Sequence, residues 1–113
     1  MSLLSTADID KAHLILEPLI TKTPLITNEE INTLVNAKVY FKLENLQLTG
    51  SFKIRGAAYK ISLLSEDNRQ KGIVTYSSGN HAQAVALASF NYGIQATIVM
   101  PDNAPKIKIE NTK

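Results

Sequence analysis

The chain has 113 residues, 44% hydrophobic and 19% charged, with a net charge of +2 and no cysteine. That suits one small folded domain and excludes a disordered chain, a disulfide framework and thiolate chemistry. Lysines and arginines are scattered, which excludes the basic stripe of a nucleic-acid binder. The longest apolar run, AVALASF, is too short for a bilayer. The opening MSLLSTADID lacks the charged start and apolar core of a secretory signal, so a cytoplasmic protein is expected.

In chain order, STADIDKAHLILEPLI reads as a helix capped by Ser5 or Thr6, with Asp8 in its first turn and Pro18 ending it. KTPLI is extended, because the residue before Pro24 is pushed out of the helical region. TNEEINTLV then predicts a short helix with a capping box from Thr27 to Glu30, stopped at Asn36. AKVYFKLE alternates, with Val39, Phe41 and Leu43 on one side of a half-buried strand. After the loop NLQLTG, SFKIRGAAYKISLL predicts a helix whose Phe52, Ala57, Ile61 and Leu64 share a face. SEDNRQKG reads as a polar connection.

The last third is more regular. IVTY is read as a buried strand, SSG as a turn, NHAQAVALASFNY as a helix closed by Gly93, and IQATIVM as a second strand ending at Pro101. A strand, a helix and a strand so closely joined predict a right-handed parallel crossover, hence an α/β class. APKIKIENTK opens another helix with no strand after it. Three strands and an unfinished crossover make a poor closed core, so the expectation is a chain cut short rather than a natural mini-domain with a frayed tail.

Two loops carry candidate chemistry. SSGNH, Ser77 to His81, lies where a strand ends and a helix begins, the place where open α/β sheets bind ligands. Ser77 and Ser78 supply hydroxyls, Gly79 lets the backbone approach a ligand, and the free amides near Asn80 and His81 suit a carboxylate. The alternative is that Ser78 or Asn80 merely caps the helix. The second is Lys53 in TGSFKIRG. A surface lysine on an amphipathic helix is the usual reading. In the first turn, however, the helix dipole opposes an ammonium, and neutral amine is the form that condenses with an aldehyde.

Other features carry less. His13 has no partner in prospect, and His81 has no cysteine or second histidine at metal-ligand spacing. NEE and SED are solvated acidic turns. The five glycines never cluster into GxGxxG or a Walker loop, so no glycine-rich phosphate cradle is expected in this chain.

KLENLQLTGSFKIRGA, SSGNHAQAVA and VMPDNAPKIK, in this order and spacing, resemble the pyridoxal-phosphate-dependent serine/threonine dehydratases and serine racemases. The resemblance runs from about TKTPLI to the end. It implies the N-terminal portion of the tryptophan-synthase-β-like architecture, fold type II, with parallel strands and packed helices. Residues 1–72 would belong to the large cofactor domain, and 73–113 would open a small substrate-binding domain. By the same resemblance Lys53 matches the lysine that holds pyridoxal 5'-phosphate as a Schiff base and later moves protons. Phe52 matches the residue beside the pyridine ring, and Asn80 the asparagine bonded to the ring's 3' oxygen. Ser77, Ser78, Gly79 and His81 fall in the loop that grips the substrate carboxylate.

The implied activity is dehydration and deamination of L-threonine or L-serine to a 2-oxo acid and ammonia. Ile54 stands where threonine synthases are expected to show Asp. Ser78 matches the serine that acts as second acid/base in serine racemases, where many threonine dehydratases resemble this loop with Ala. Racemase activity, a 3-hydroxyaspartate-type dehydratase and a non-catalytic amino-acid-binding remnant are the alternatives, with a purely structural fragment beyond them. The phosphate loop, the group facing the pyridine nitrogen, the metal site and most of the large domain would lie beyond Lys113. The chain alone is then expected to be inactive, and the whole enzyme a homodimer or larger.

Overall fold

The computed structural model describes residues 3–113; Met1 and Ser2, the start of the segment read for a targeting signal, lie outside the described residues. Helix α1 spans Thr6–Leu16. Ser5 caps it in a reciprocal box: Ser5 Oγ accepts from the Asp8 amide, and the Asp8 carboxylate accepts from the Ser5 amide at 2.8 Å. Pro18 falls in the tight 3-10 turn Glu17–Leu19 that follows, where its missing N–H costs nothing. The second cap differs from expectation. Helix α2, Glu29–Val35, is capped by Asn28, whose Oδ1 accepts from the Ile31 amide at 2.9 Å, while Thr27 Oγ1 instead accepts from the Asn32 side chain. Asn36 ends α2 in the left-handed conformation, as expected.

The expected strand over residues 37–44 shortens to β2, Phe41–Lys42, which pairs antiparallel with β1, Leu25–Ile26. Both strands of this pair stay exposed, Phe41 included, because nothing in the described chain covers either face. Side chains hold this region down instead. Gln47, buried in the turn after β2, exchanges two hydrogen bonds with the Thr21 backbone, at 2.9 and 2.8 Å. Glu44 accepts from Arg55 Nε and Nη2, both at 2.8 Å, and from Thr23 Oγ1 at 2.6 Å.

Helix α3, Lys53–Ser62, buries Ile54, Ala57, Ala58 and Ile61. That spacing of three, four and seven is one helical face. Phe52 and Leu64 do not join it: the helix starts only after Phe52, which is 60% exposed, and ends before Leu64, which is half-buried. The polar connection contains a one-turn helix, α4, Glu66–Gln70, capped by Ser65.

Strands β3, Ile73–Tyr76, and β4, Ala96–Val99, pair in parallel with Ile73 opposite Ala96 and Tyr76 opposite Val99. They are half-buried rather than fully buried. Val74, Tyr76 and Val99 face outward, since helices cover one side of this two-stranded sheet only. Gly72 before β3 sits at φ +78°, and a Cβ there would stand 2.9 Å from the Gln95 carbonyl oxygen, so the position admits only glycine without strain. Between the strands runs α5, Asn80–Asn91, closed by Gly93 at φ +64°. A last turn of helix, α6, covers Lys106–Glu110.

The core lies between α3 and α5, with Leu16 of α1 beneath. Ala57 and Ala58 on one helix and Ala84 and Ala88 on the other let the two backbones come close. This core is one-sided. The accessible surface is 8331 Å², against about 6100 Å² for a closed monomer of this length. The radius of gyration is 16.9 Å, against about 13 Å for a compact chain. Among the described residues no helix is long and apolar enough to cross a membrane.

Candidate active site

The site forms where α3 begins, β3 ends and α5 begins. The loop before α3 is unusual: Thr49 and Gly50 take consecutive left-handed conformations, φ 63° and 66°. For a β-branched residue such as Thr49 this conformation is strained. The kink turns the chain sharply enough to place Lys53 as the first residue of α3, with no side chain capping that end. Ile54, 1% exposed, anchors the turn by burying the next residue in the core.

Lys53 lines a cleft of about 520 Å³ with Phe52, Gly56, Val74, His81 and Val85 among its other walls. The volume lies within the range of small-molecule sites. Its charged members are Lys53 and Lys60, and no acidic side chain lines it. The Lys53 ammonium stands 5.6 Å from the centre of the Phe52 ring. A mostly apolar wall with two cations at its edge suits a flat, anionic ligand.

Ser77 and Ser78 line a second, adjoining cleft of about 830 Å³ with Tyr76, Met100 and Pro101. Thr75 and His81 border both clefts. The structure thus brings Lys53, Phe52 and His81 to one cleft and the two serines to its neighbour. Gly79 is the residue before α5, and it has no side chain to cap the helix; its amide donates to Ser77 Oγ at 3.2 Å. Neither Ser78 nor Asn80 caps α5. The amides of the first turn therefore stay available as donors.

Asn80 is placed apart from the lining of both clefts. Its Oδ1 accepts from Lys108 Nζ of α6 at 2.6 Å. Lys108 also donates to the buried Gln83 at 2.9 Å. Sequence reasoning missed Lys108, and it missed the tie from Arg55 to Glu44 that fixes α3 against the preceding loop. Neither carries a local signal, because each pairs residues distant in sequence.

With this geometry in hand, comparison with known proteins gives the class. The chain belongs to the pyridoxal-phosphate dependent enzyme family, whose model matches residues 16–113. It is 46% identical to the catabolic L-threonine dehydratase TdcB of Staphylococcus aureus over 112 residues, 98% of this chain and 32% of the relative. It is 47% identical to the serine racemase of Dictyostelium discoideum over 109 residues, 96% of this chain and 34% of the relative. The crystal structure of that racemase superimposes with a TM-score of 0.91 and 46% identity, covering 96% of this chain and 36% of that one. The α/β arrangement is that of fold type II, as expected. The chain spans about a third of the length of the curated relatives it matches.

The residues present fit pyridoxal phosphate at its aldehyde and ring. A primary amine at the edge of an apolar cleft is the partner an aldehyde needs. The absence of acidic lining residues from that cleft leaves an anionic ligand unopposed.

Proposed function

We propose that this chain forms the lysine-bearing part of a threonine/serine ammonia-lyase, which converts L-threonine or L-serine to a 2-oxo acid and ammonia. The observation that carries the reading is the shared cleft of Lys53, Phe52 and His81, which has Thr75 and His81 in common with the cleft lined by Ser77 and Ser78. When bound, the cofactor supplies an electron sink for the charge left at the substrate's α-carbon. Lys53 would hold the cofactor at its aldehyde, and its amine would serve as general base for the substrate's α-proton. Phe52 would pack beside the ring, and the Asn80 amide, by the family resemblance, would donate to the ring's 3' oxygen. The first amides of α5, with Ser77, Ser78, Gly79 and His81, hold the substrate carboxylate and fix which bond at the α-carbon faces Lys53. The α-proton and β-hydroxyl leave together as one water. A second water, added at the α-carbon, releases ammonia and the 2-oxo acid.

The reading includes a division near residue 72 into a cofactor domain and a substrate-binding domain. The change from the antiparallel β1–β2 pair to the parallel β3–β4 pair supports it. It also includes a C-terminal portion supplying the phosphate loop, a homodimeric or larger enzyme, and a cytoplasmic setting. The test is turnover by this chain joined to the C-terminal two-thirds of the Dictyostelium racemase and supplied with pyridoxal 5'-phosphate. The expected product from both amino acids is a 2-oxo acid with equimolar ammonia. No oxo acid from either contradicts the reading.

Racemisation is the second reading, favoured by Ser78. Its exposed side chain stands on the neighbouring cleft rather than beside Lys53, as a proton donor serving the opposite face would. Accumulation of D-serine in the same assay supports it.

A further inference from the structure

Lys108 has no part in the mechanism above, yet its ammonium is held by two acceptors on α5. It donates to Asn80 Oδ1 at 2.6 Å and to Gln83 Oε1 at 2.9 Å. Gln83 is 5% exposed. An ammonium carries donors and no acceptor, so it selects the oxygen end of each amide that meets it. A charge-assisted bond of this length is roughly twice as strong as a neutral one. Asn80 is thereby held with its oxygen toward α6 and its NH2 group turned away, as a donor only.

We propose that Lys108 is a positioning residue: by holding the oxygen of Asn80, it fixes that side chain as a hydrogen-bond donor toward the bound cofactor. This rests on the reading of Asn80 as a cofactor contact. An unrestrained asparagine flips freely, and in half of its orientations it would present oxygen to the ring's electron-rich oxygen and repel it. Lys108 removes that half. Gln83, one turn along α5, gives the ammonium its second acceptor and keeps it from swinging away to solvent.

The geometry is tested first on the 113-residue chain labelled with nitrogen-15 asparagine. Lys108→Met moves the side-chain amide signals of Asn80 and leaves its backbone amide in place. Movement of both to the same extent, as from general loosening of α5, contradicts the proposal. The consequence is tested on the completed, cofactor-loaded enzyme by titration with pyridoxal 5'-phosphate and by its absorption spectrum.

Lys108→Met weakens cofactor binding up to about tenfold, the scale of one hydrogen bond, and shifts the absorption band. Lys108→Arg, which keeps a donor, restores much of both. In an Asn80→Ala background Lys108→Met has no further effect. An equal loss in that background shows that Lys108 acts through α6 docking and overturns the proposal. If Asn80→Ala shifts the spectrum and Lys108→Met does not, the proposal alone fails. If Asn80→Ala itself changes nothing, the assignment of Asn80 fails and the proposal falls with it.

Discussion

Arg55 and Glu44 meet through two hydrogen bonds of 2.8 Å, fastening the helix that carries Lys53 to the turn that precedes its loop. The Arg55 guanidinium holds the Glu44 carboxyl at about 2, well below its ordinary 4.5; partial burial opposes the shift and the Thr23 hydroxyl adds to it. A carboxyl depressed in the folded state contributes stability that is fully present above 4.5 and is lost as the pH falls toward 2. Because the pair is partly solvated, Arg55→Met is expected to cost roughly 1–2 kcal/mol at neutral pH. Urea unfolding at a series of pH values checks this: the gap between wild type and variant narrows from pH 5 downward. A gap that stays constant to pH 3 contradicts it.

Ile54 ties the turn that carries Lys53 to the core, since it is 1% exposed and follows Lys53 directly. Ile54→Ala should destabilise the fold by about 3 kcal/mol, through lost burial and the cavity left behind. Chemical denaturation measures it. A loss below about 1 kcal/mol would mean that the α3–α5 interface closes over the gap.

Gly72 answers to backbone geometry rather than packing. At φ +78° and with the Gln95 carbonyl 2.9 Å from where a Cβ would stand, Gly72→Ala should cost roughly 2 kcal/mol and loosen the start of β3. Amide exchange is the direct readout. The Ile73 amide, which donates to Gln95 at 2.9 Å, should lose protection before the amides of α5 do.

On the racemase reading, Ser78 should separate the two proposed activities. In the completed enzyme, Ser78→Ala should lower racemisation by about 100-fold or more, the scale of one general acid/base. Ammonia release from L-serine should fall less, because it keeps the proton acceptor Lys53 and loses one of several contacts to the substrate carboxylate. Equal loss of both would leave Ser78 a carboxylate contact alone.

How much of this was legible in the sequence depended on how local each signal was. The crossover from β3 through α5 to β4 is written in short apolar runs and a glycine stop, and it stands as expected. The cap of α2 was misplaced by one residue, because Thr27 and Asn28 are both good caps and only the fold selects between them. The strand over 37–44 shrank because alternation predicts a face to bury and nothing in the described chain buries it. Phe52 reads as core in a hydrophobic pattern, yet it lies on the cleft wall, outside the helix that the pattern describes. Lys53 and His81, singled out through their motifs, do line one cleft, whereas Asn80, singled out in the same way, lies outside its lining. Lys108 was not singled out, since its partners lie 28 and 25 positions away and only the packing of α6 on α5 reveals them.

The central claim is that one amine of this chain, at the head of α3, carries the cofactor. Borohydride reduction of the completed, cofactor-loaded enzyme, followed by peptide mapping, tests it most directly. The account predicts a single pyridoxyl group on Lys53, and none after Lys53→Arg. A label on another lysine, or undiminished turnover by the Lys53→Arg enzyme, would contradict it.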